Sequence, residues 1–231
     1  TRRNISPMLS FMPSKTINVS LIYWYNQTDR SIPSAINTSP TAAQQQDLVH
    51  RTMAVIDAHP NKNIKLSYRA MFEDNVNAYT DSALNISNSN DYQSIQNQFD
   101  ATFRLNNKFR VKGQMNHTHI SATSKNYSRP EIGNALNTMM NAEYRWLQEK
   151  VLFELGTRYA SFNGNDAVLP FGGISVSPLA NIPLSFSAST SQSARFATLN
   201  EMYWQPGGNA LLEAEKGELV ELGLNYQTET S

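Results

Sequence analysis

Apolar side chains recur at every second position along runs of about nine residues, and a two-residue period is the geometry of an extended strand rather than of a helix. Ile17, Val19, Leu21, Tyr23 and Tyr25 form one row, with Asn18, Ser20 and Asn26 between them, while Ile22 and Trp24 make the second face mixed. Ile64, Leu66, Tyr68, Ala70 and Phe72 form another, set against Lys65, Ser67, Arg69 and Glu73. The pattern returns at Phe99, Ala101, Phe103 and Leu105, then at Phe109, Val111, Gly113 and Met115, then at Val151, Phe153 and Leu155. Later rows are Leu184, Phe186 and Ala188, and finally Val220, Leu222, Leu224 and Tyr226. Residues 134–148 carry Ala135, Leu136, Met139 and Met140 at helix-like spacing. Thr138, Met140, Ala142, Tyr144 and Trp146 nevertheless alternate with Met139, Asn141, Glu143 and Arg145, so a strand is expected there too. Residues 42–58 show no clean facing, and a strand is expected because the neighbouring strands need a partner. The chain reads as all-β, with about eleven strands.

A strand with one apolar and one polar face suits a β-sandwich in water, or a membrane barrel with a wet interior. Length and connections favour the barrel. Segments 15–26 and 63–73 are near the roughly 9–11 residues of a tilted membrane-crossing strand, and longer than the usual globular strand of about five or six. Short polar breaks at 13–15, 60–63, 106–108, 148–150 and 180–183 alternate with longer polar segments at 26–44, 74–92, 121–131 and 163–167. Tight turns at one end and long loops at the other follow the plan of an outer-membrane barrel. Tyr23, Trp24, Tyr25, Phe72, Tyr144, Trp146, Tyr159, Phe162 and Tyr226 sit toward strand ends, where a barrel carries its aromatic girdles.

Composition removes other classes. Nineteen basic side chains balance nineteen acidic ones, so no net field calls for nucleic acid. Without cysteine there is neither a disulfide scaffold nor a thiolate metal site. No stretch reads as a leader peptide, and no apolar run approaches the roughly eighteen residues of a spanning helix, which a barrel does not need. No nucleophile elbow, phosphate-cradling glycine loop or paired catalytic carboxylates appear, so neither an enzyme nor a cofactor is expected. His117 and His119 share a strand face but lack an evident third ligand, and no metal site is expected.

Residues 194–204 read ARFATLNEMYW; residues 207–216 follow as GGNALLEAEK, and residues 221–226 as ELGLNY. Together they resemble the signature shared by TonB-dependent outer-membrane receptors: a rising strand, a loop with Gly-Asn-x-x-Leu-x-x-Glu, and a descending strand with Glu-Leu-Gly. Ala197-Thr198 stands where the signature usually has Ala-Pro, and Glu213-Ala214-Glu215 where it has Pro-Glu. Residues 25–36 are similar to a segment of cobalamin-receptor-like barrels, with Ser34 in place of a glycine. The resemblance implies a transmembrane up-and-down antiparallel β-barrel of about 22 strands. Residues 1–231 would supply part of that barrel, with the plug domain and terminal strands outside them. It further implies a bacterial outer-membrane address and energised uptake of a scarce nutrient such as cobalamin, an iron-siderophore or haem. The implied partners are the TonB complex acting through the plug, the small-molecule nutrient, outer-membrane lipid and, in one arrangement, a surface lipoprotein. A passive porin and a soluble glycan-binding or adhesive β-sandwich are the rival readings.

Two groups of site residues follow. The polar rows carry charges of both signs, among them Arg69, Glu73, Arg104, Arg110, Arg145 and Arg158, expected to line the lumen and, on the resemblance, to meet the plug. Substrate capture is expected from loop aromatics and an amide: Tyr79, Tyr92, Tyr127, Tyr203, Trp204 and Asn209.

Overall fold

A computed structural model describes residues 1–33, 42–178 and 184–226. Within them the chain forms one antiparallel sheet. β1 (Arg2–Ile5) and β2 (Met8–Ser14) lie end to end along the same edge of β3 (Ile17–Ser31). Then follow β4 (Ala43–Asn61), β5 (Ile64–Asp81), β6 (Ile86–Arg104), β7 (Phe109–Ser124), β8 (Glu131–Trp146) and β9 (Val151–Phe162). β10 (Asn165–Val176), β11 (Leu184–Arg195) and β12 (Glu215–Tyr226) complete the sheet, with one short helix, α1 (Leu199–Tyr203), between the last two. From β3 to β12 spatial order repeats sequence order, an up-and-down meander of eleven strand positions when β1 and β2 are counted as one.

Burial is inverted relative to a soluble globule. The apolar rows face out and stay open, with Phe72 at 44%, Met140 at 62% and Leu155 at 73% exposure, while Glu73, Asn141 and Glu143 on the opposite face are all at 7% or below. A β-sandwich would press those rows against a second sheet, and among the described residues there is a single sheet. The outward rows run from Ile17 to Tyr25, from Ile64 to Phe72, from Phe109 to His117 and from Val151 to Tyr159, each nine residues long. At about 3.3 Å per residue and a tilt of about 40°, nine residues rise ~23 Å, close to the ~25 Å apolar band of an outer-membrane barrel. Phe103, Phe109, Tyr144, Trp146 and Phe153 mark the short-turn rim, the last two rings being 6.5 Å apart. Tyr23, Tyr25, Phe72 and Tyr159 mark the other rim. Trp24 and Phe162 differ from the expected girdle, because alternation turns both to the inner face, Trp24 opposite Arg51.

Several expected loops are strand. Residues 74–92 continue the ladder, β5 reaching Asp81 and β6 starting at Ile86, so that the turn is only 82–85. Residues 163–167 shrink to a two-residue turn in which Asn163 and Gly164 both have positive φ, 48° and 89°, the geometry that twists a tight hairpin correctly. β10 was not among the expected strands. The expected break at 180–183 and residues 34–36 of the second motif lie outside the described residues. Gly156 is required by close approach: a Cβ there would sit 2.3 Å from the Phe171 ring and 2.7 Å from the Met140 carbonyl oxygen.

Candidate functional site

The inner wall is a ladder of cross-strand ion pairs. Arg51 grips Glu73 through two hydrogen bonds of 2.7 and 3.2 Å, and Arg69 reaches Asp100 at 3.0 Å. Glu143 serves two cations, Arg110 at 3.2 Å and Lys112. The Asn141 amide donates to Glu154 at 2.5 Å. These contacts follow from register, since Arg51 lies directly opposite Glu73 and Arg110 opposite Glu143. Of the six expected wall residues, Arg69, Glu73 and Arg110 are therefore paired within the wall. Arg145 pairs with Glu149 in the turn that follows, at 3.2 Å. Arg104 instead faces Arg110 across the ladder and helps line a recess of about 190 Å³ at the short-turn end. Arg158 lies opposite Met139 and Leu169 on the inner face and is exposed. Arg51 was not anticipated, because residues 42–58 gave no clean facing.

At the opposite end the loop between β11 and β12 folds back over the wall. Arg195 closes β11 and Glu215 opens β12, directly opposite in register. The guanidinium holds Glu215 at 3.0 and 2.9 Å and Glu201 of α1 at 2.9 and 3.1 Å. Thr198, the departure from the signature, caps α1: its hydroxyl accepts from the Glu201 N–H at 3.3 Å, while the Thr198 N–H donates to the Glu201 carboxylate at 2.8 Å. Leu199 and Met202 are buried beneath the helix, and Phe196 packs on Ala160, Ala167 and Leu169. The Tyr127 hydroxyl donates to Asn200, and its ring meets Trp204 edge-on at 6.4 Å. Under this roof lies a cavity of about 580 Å³ bounded by Tyr92, Ile120, Tyr127, Asn137, Phe162 and the Arg195 loop.

The structure thus gathers Tyr92, Tyr127 and Trp204. Tyr92 belongs to β6 and Tyr79 to β5, so both are strand residues rather than loop residues. Tyr79 lies opposite Gln45 and Asn88, outside the cavity lining. Tyr203 is in α1. Asn209 folds the loop, donating its N–H to the Glu201 carbonyl at 2.9 Å and accepting from the Leu211 N–H at 2.9 Å. His119 accepts or donates to Asn134 at 2.8 Å, and no metal-binding cluster occurs among the described residues.

The clasp sets its own pH range. The Thr198 backbone N–H, then Arg195, hold Glu201 below the ordinary carboxylate value, and the Arg195 guanidinium does the same for Glu215. A depressed folded-state pKa gives stability that is present above the unfolded value and lost only as pH falls through the folded one. Protection from hydrogen exchange across 199–203, taken relative to the intrinsic amide rate at each pH, is therefore expected to hold through the ordinary carboxylate range and to be lost only below it. Loss of protection already at the ordinary value contradicts the clasp. Burial, and then the nearby Glu131 carboxylate, push the Tyr127 hydroxyl up, so it remains a donor.

One sheet with an apolar exterior, an ion-paired interior and unequal ends defines the wall of an outer-membrane barrel. The chain belongs to the TonB-dependent receptor β-barrel family: the family model described as TonB dependent receptor-like, beta-barrel, matches residues 12–231. That membership places it in the bacterial outer membrane. Among curated proteins no sequence match is found. Among solved structures the siderophore receptor PirA from Pseudomonas aeruginosa aligns at TM-score 0.83 and 11% identity, covering 99% of this chain and 43% of that one. The FrpB iron transporter from Neisseria meningitidis (F5-1 variant) gives TM-score 0.81 at 14% identity with the same coverages, and the copper transporter OprC gives 0.75 at 12%, covering 99% and 44%. The chain thus spans less than half the length of these proteins, and at such identities the likeness shows the fold alone.

Proposed function

We propose that the chain is the recognition-bearing part of a receptor that imports a scarce metal chelate across the outer membrane under TonB control. The observation that carries this reading is the contrast between the two ends of one wall. Charges lower down are largely spent on neighbouring strands, whereas the upper end roofs an aromatic cavity large enough for a small molecule. The family, and the printed descriptions of PirA, FrpB and OprC, support a metal-bearing cargo. Tyr92 and Tyr127 contact the ligand in this reading, and Trp204 backs Tyr127. Tyr79 lines the approach, and Tyr203 and Asn209 shape the roof. Arg104 and Arg158, which make no ion pair among the described residues, meet carboxylates of the plug, while the paired Arg69, Glu73, Arg110 and Arg145 keep the wall rigid.

The test is accumulation of radio-iron chelates by cells whose only receptor of this type is the full-length protein. Uptake is expected in cells with TonB and is expected to vanish without it. Accumulation that persists without TonB marks a passive porin instead.

A further inference from the structure

The charges around the roofed cavity say what kind of ligand it accepts. Among the described residues Arg195 is the one charged side chain in its lining, and both sides of its guanidinium fork are occupied by carboxylates, Glu215 and Glu201. The trio carries a formal charge of −1, one cation against two anions. Glu131 on β8, opposite the lining residue Ala122, is the inward carboxylate above the cavity; below it the inward positions are Ser94 and Gln96 on β6, Asn116 and Thr118 on β7, and Asn137 and Met139 on β8. None of this lower set is charged. Arg129 is held by Glu131 at 3.4 Å, and Lys125 donates to the Ser87 carbonyl. The inward Arg158 sits one row below Asn137, outside the lining.

An anionic ligand entering here gives up hydration, finds no free cation among the described lining residues and meets a negative trio. An uncharged ligand meets the rings of Tyr92, Tyr127 and Phe162, apolar Ile120, and the Asn137 amide as a hydrogen-bonding group. We infer that this cavity selects an uncharged metal chelate over an anionic one. The inference rests on the uptake reading and adds to it the charge class of the cargo.

Binding to the full-length protein in detergent tests it with two iron complexes: that of a cyclic trihydroxamate, which is uncharged, and that of a triscatecholate, which is strongly anionic. The trihydroxamate is expected to bind at least about tenfold more tightly. Asn137→Lys, at an exposed position of the lining, is expected to shift the ratio at least about tenfold toward the anionic complex. Equal or tighter binding of the triscatecholate by the unaltered protein overturns the inference while TonB-dependent uptake stands. Binding of neither complex overturns it as well, and the accumulation assay then decides separately whether the uptake reading falls with it.

Discussion

Leu155→Arg is expected to destabilise the folded protein in a bilayer by about 2–4 kcal/mol, the usual penalty for a cation at the lipid-facing midplane of a barrel. Leu155 is the middle residue of the outward row from Val151 to Tyr159 on β9, so neither rim is close enough for the guanidinium to snorkel to water. Its 73% exposure gives the prediction its force. On a water-soluble sheet an arginine at so open a site would change stability by about 0.5 kcal/mol or less. Urea titration of the protein folded into lipid vesicles, compared with the same substitution at Val168, an open outward position on β10 opposite the rim residue Tyr159, separates the two environments. Indifference to arginine at Leu155 would falsify the outward assignment of the apolar rows.

Glu143→Ala is expected to cost about 1–3 kcal/mol in the same titration. The Glu143 side chain is 10% exposed and neutralises Arg110 and Lys112 together, so its removal leaves two like charges on adjacent positions of one inner face, with Arg104 opposite Arg110. The full penalty for stranding a buried charge is about 3–5 kcal/mol; the two cations are 28% and 38% exposed, and water relieves part of it. Salt should shrink the difference further. Stability equal to the parent protein's means that solvent already screens both cations and that the ladder is ornamental there.

Much of the fold was legible because lipid and lumen impose opposite chemistry on alternate residues. Ile64 to Phe72 reads as a strand for that reason, and the same argument recovered β8 from a segment with helix-like spacing. The signal fades where the environment becomes the same on both faces. Beyond Phe72 the outward row becomes Asp74, Val76 and Ala78 against Asn75, Asn77 and Tyr79, so hydrophobic contrast disappears while the hydrogen-bonded ladder continues. That is why 74–92 looked like a loop. β10 was lost to a different cause: Pro170, which cannot donate to a ladder, and the pair Gly172 and Gly173 argue against strand locally. The Asn163-Gly164 pair that closes the hairpin into β10 is the hairpin signal the sequence does carry there.

The candidate site divides in the same way. Tyr92 and Tyr127 are aromatic residues that sequence offers as candidates, yet only the register of β6, β7 and β8 and the inward fold of the last loop bring them to one cavity. The Arg195 clasp was hidden because Glu201 and Glu215 lie six and twenty residues away from their partner. Thr198 was visible only as a departure from the signature, and its capping role depends on a helix of five residues that no periodicity announces.

The β5–β6 hairpin carries its ladder nine residues past the rim residue Phe72, a rise of ~23 Å at barrel tilt, and closes in a turn of only four residues, 82–85. Seen from outside the cell it is a stiff turret. A protease needs extended, unpaired backbone, so the sides of this hairpin can be cut only after the ribbon unzips, and scission should concentrate at the tip. Antibodies raised against intact cells would likewise find a small, rigid epitope there, one whose sequence can vary without disturbing the wall below.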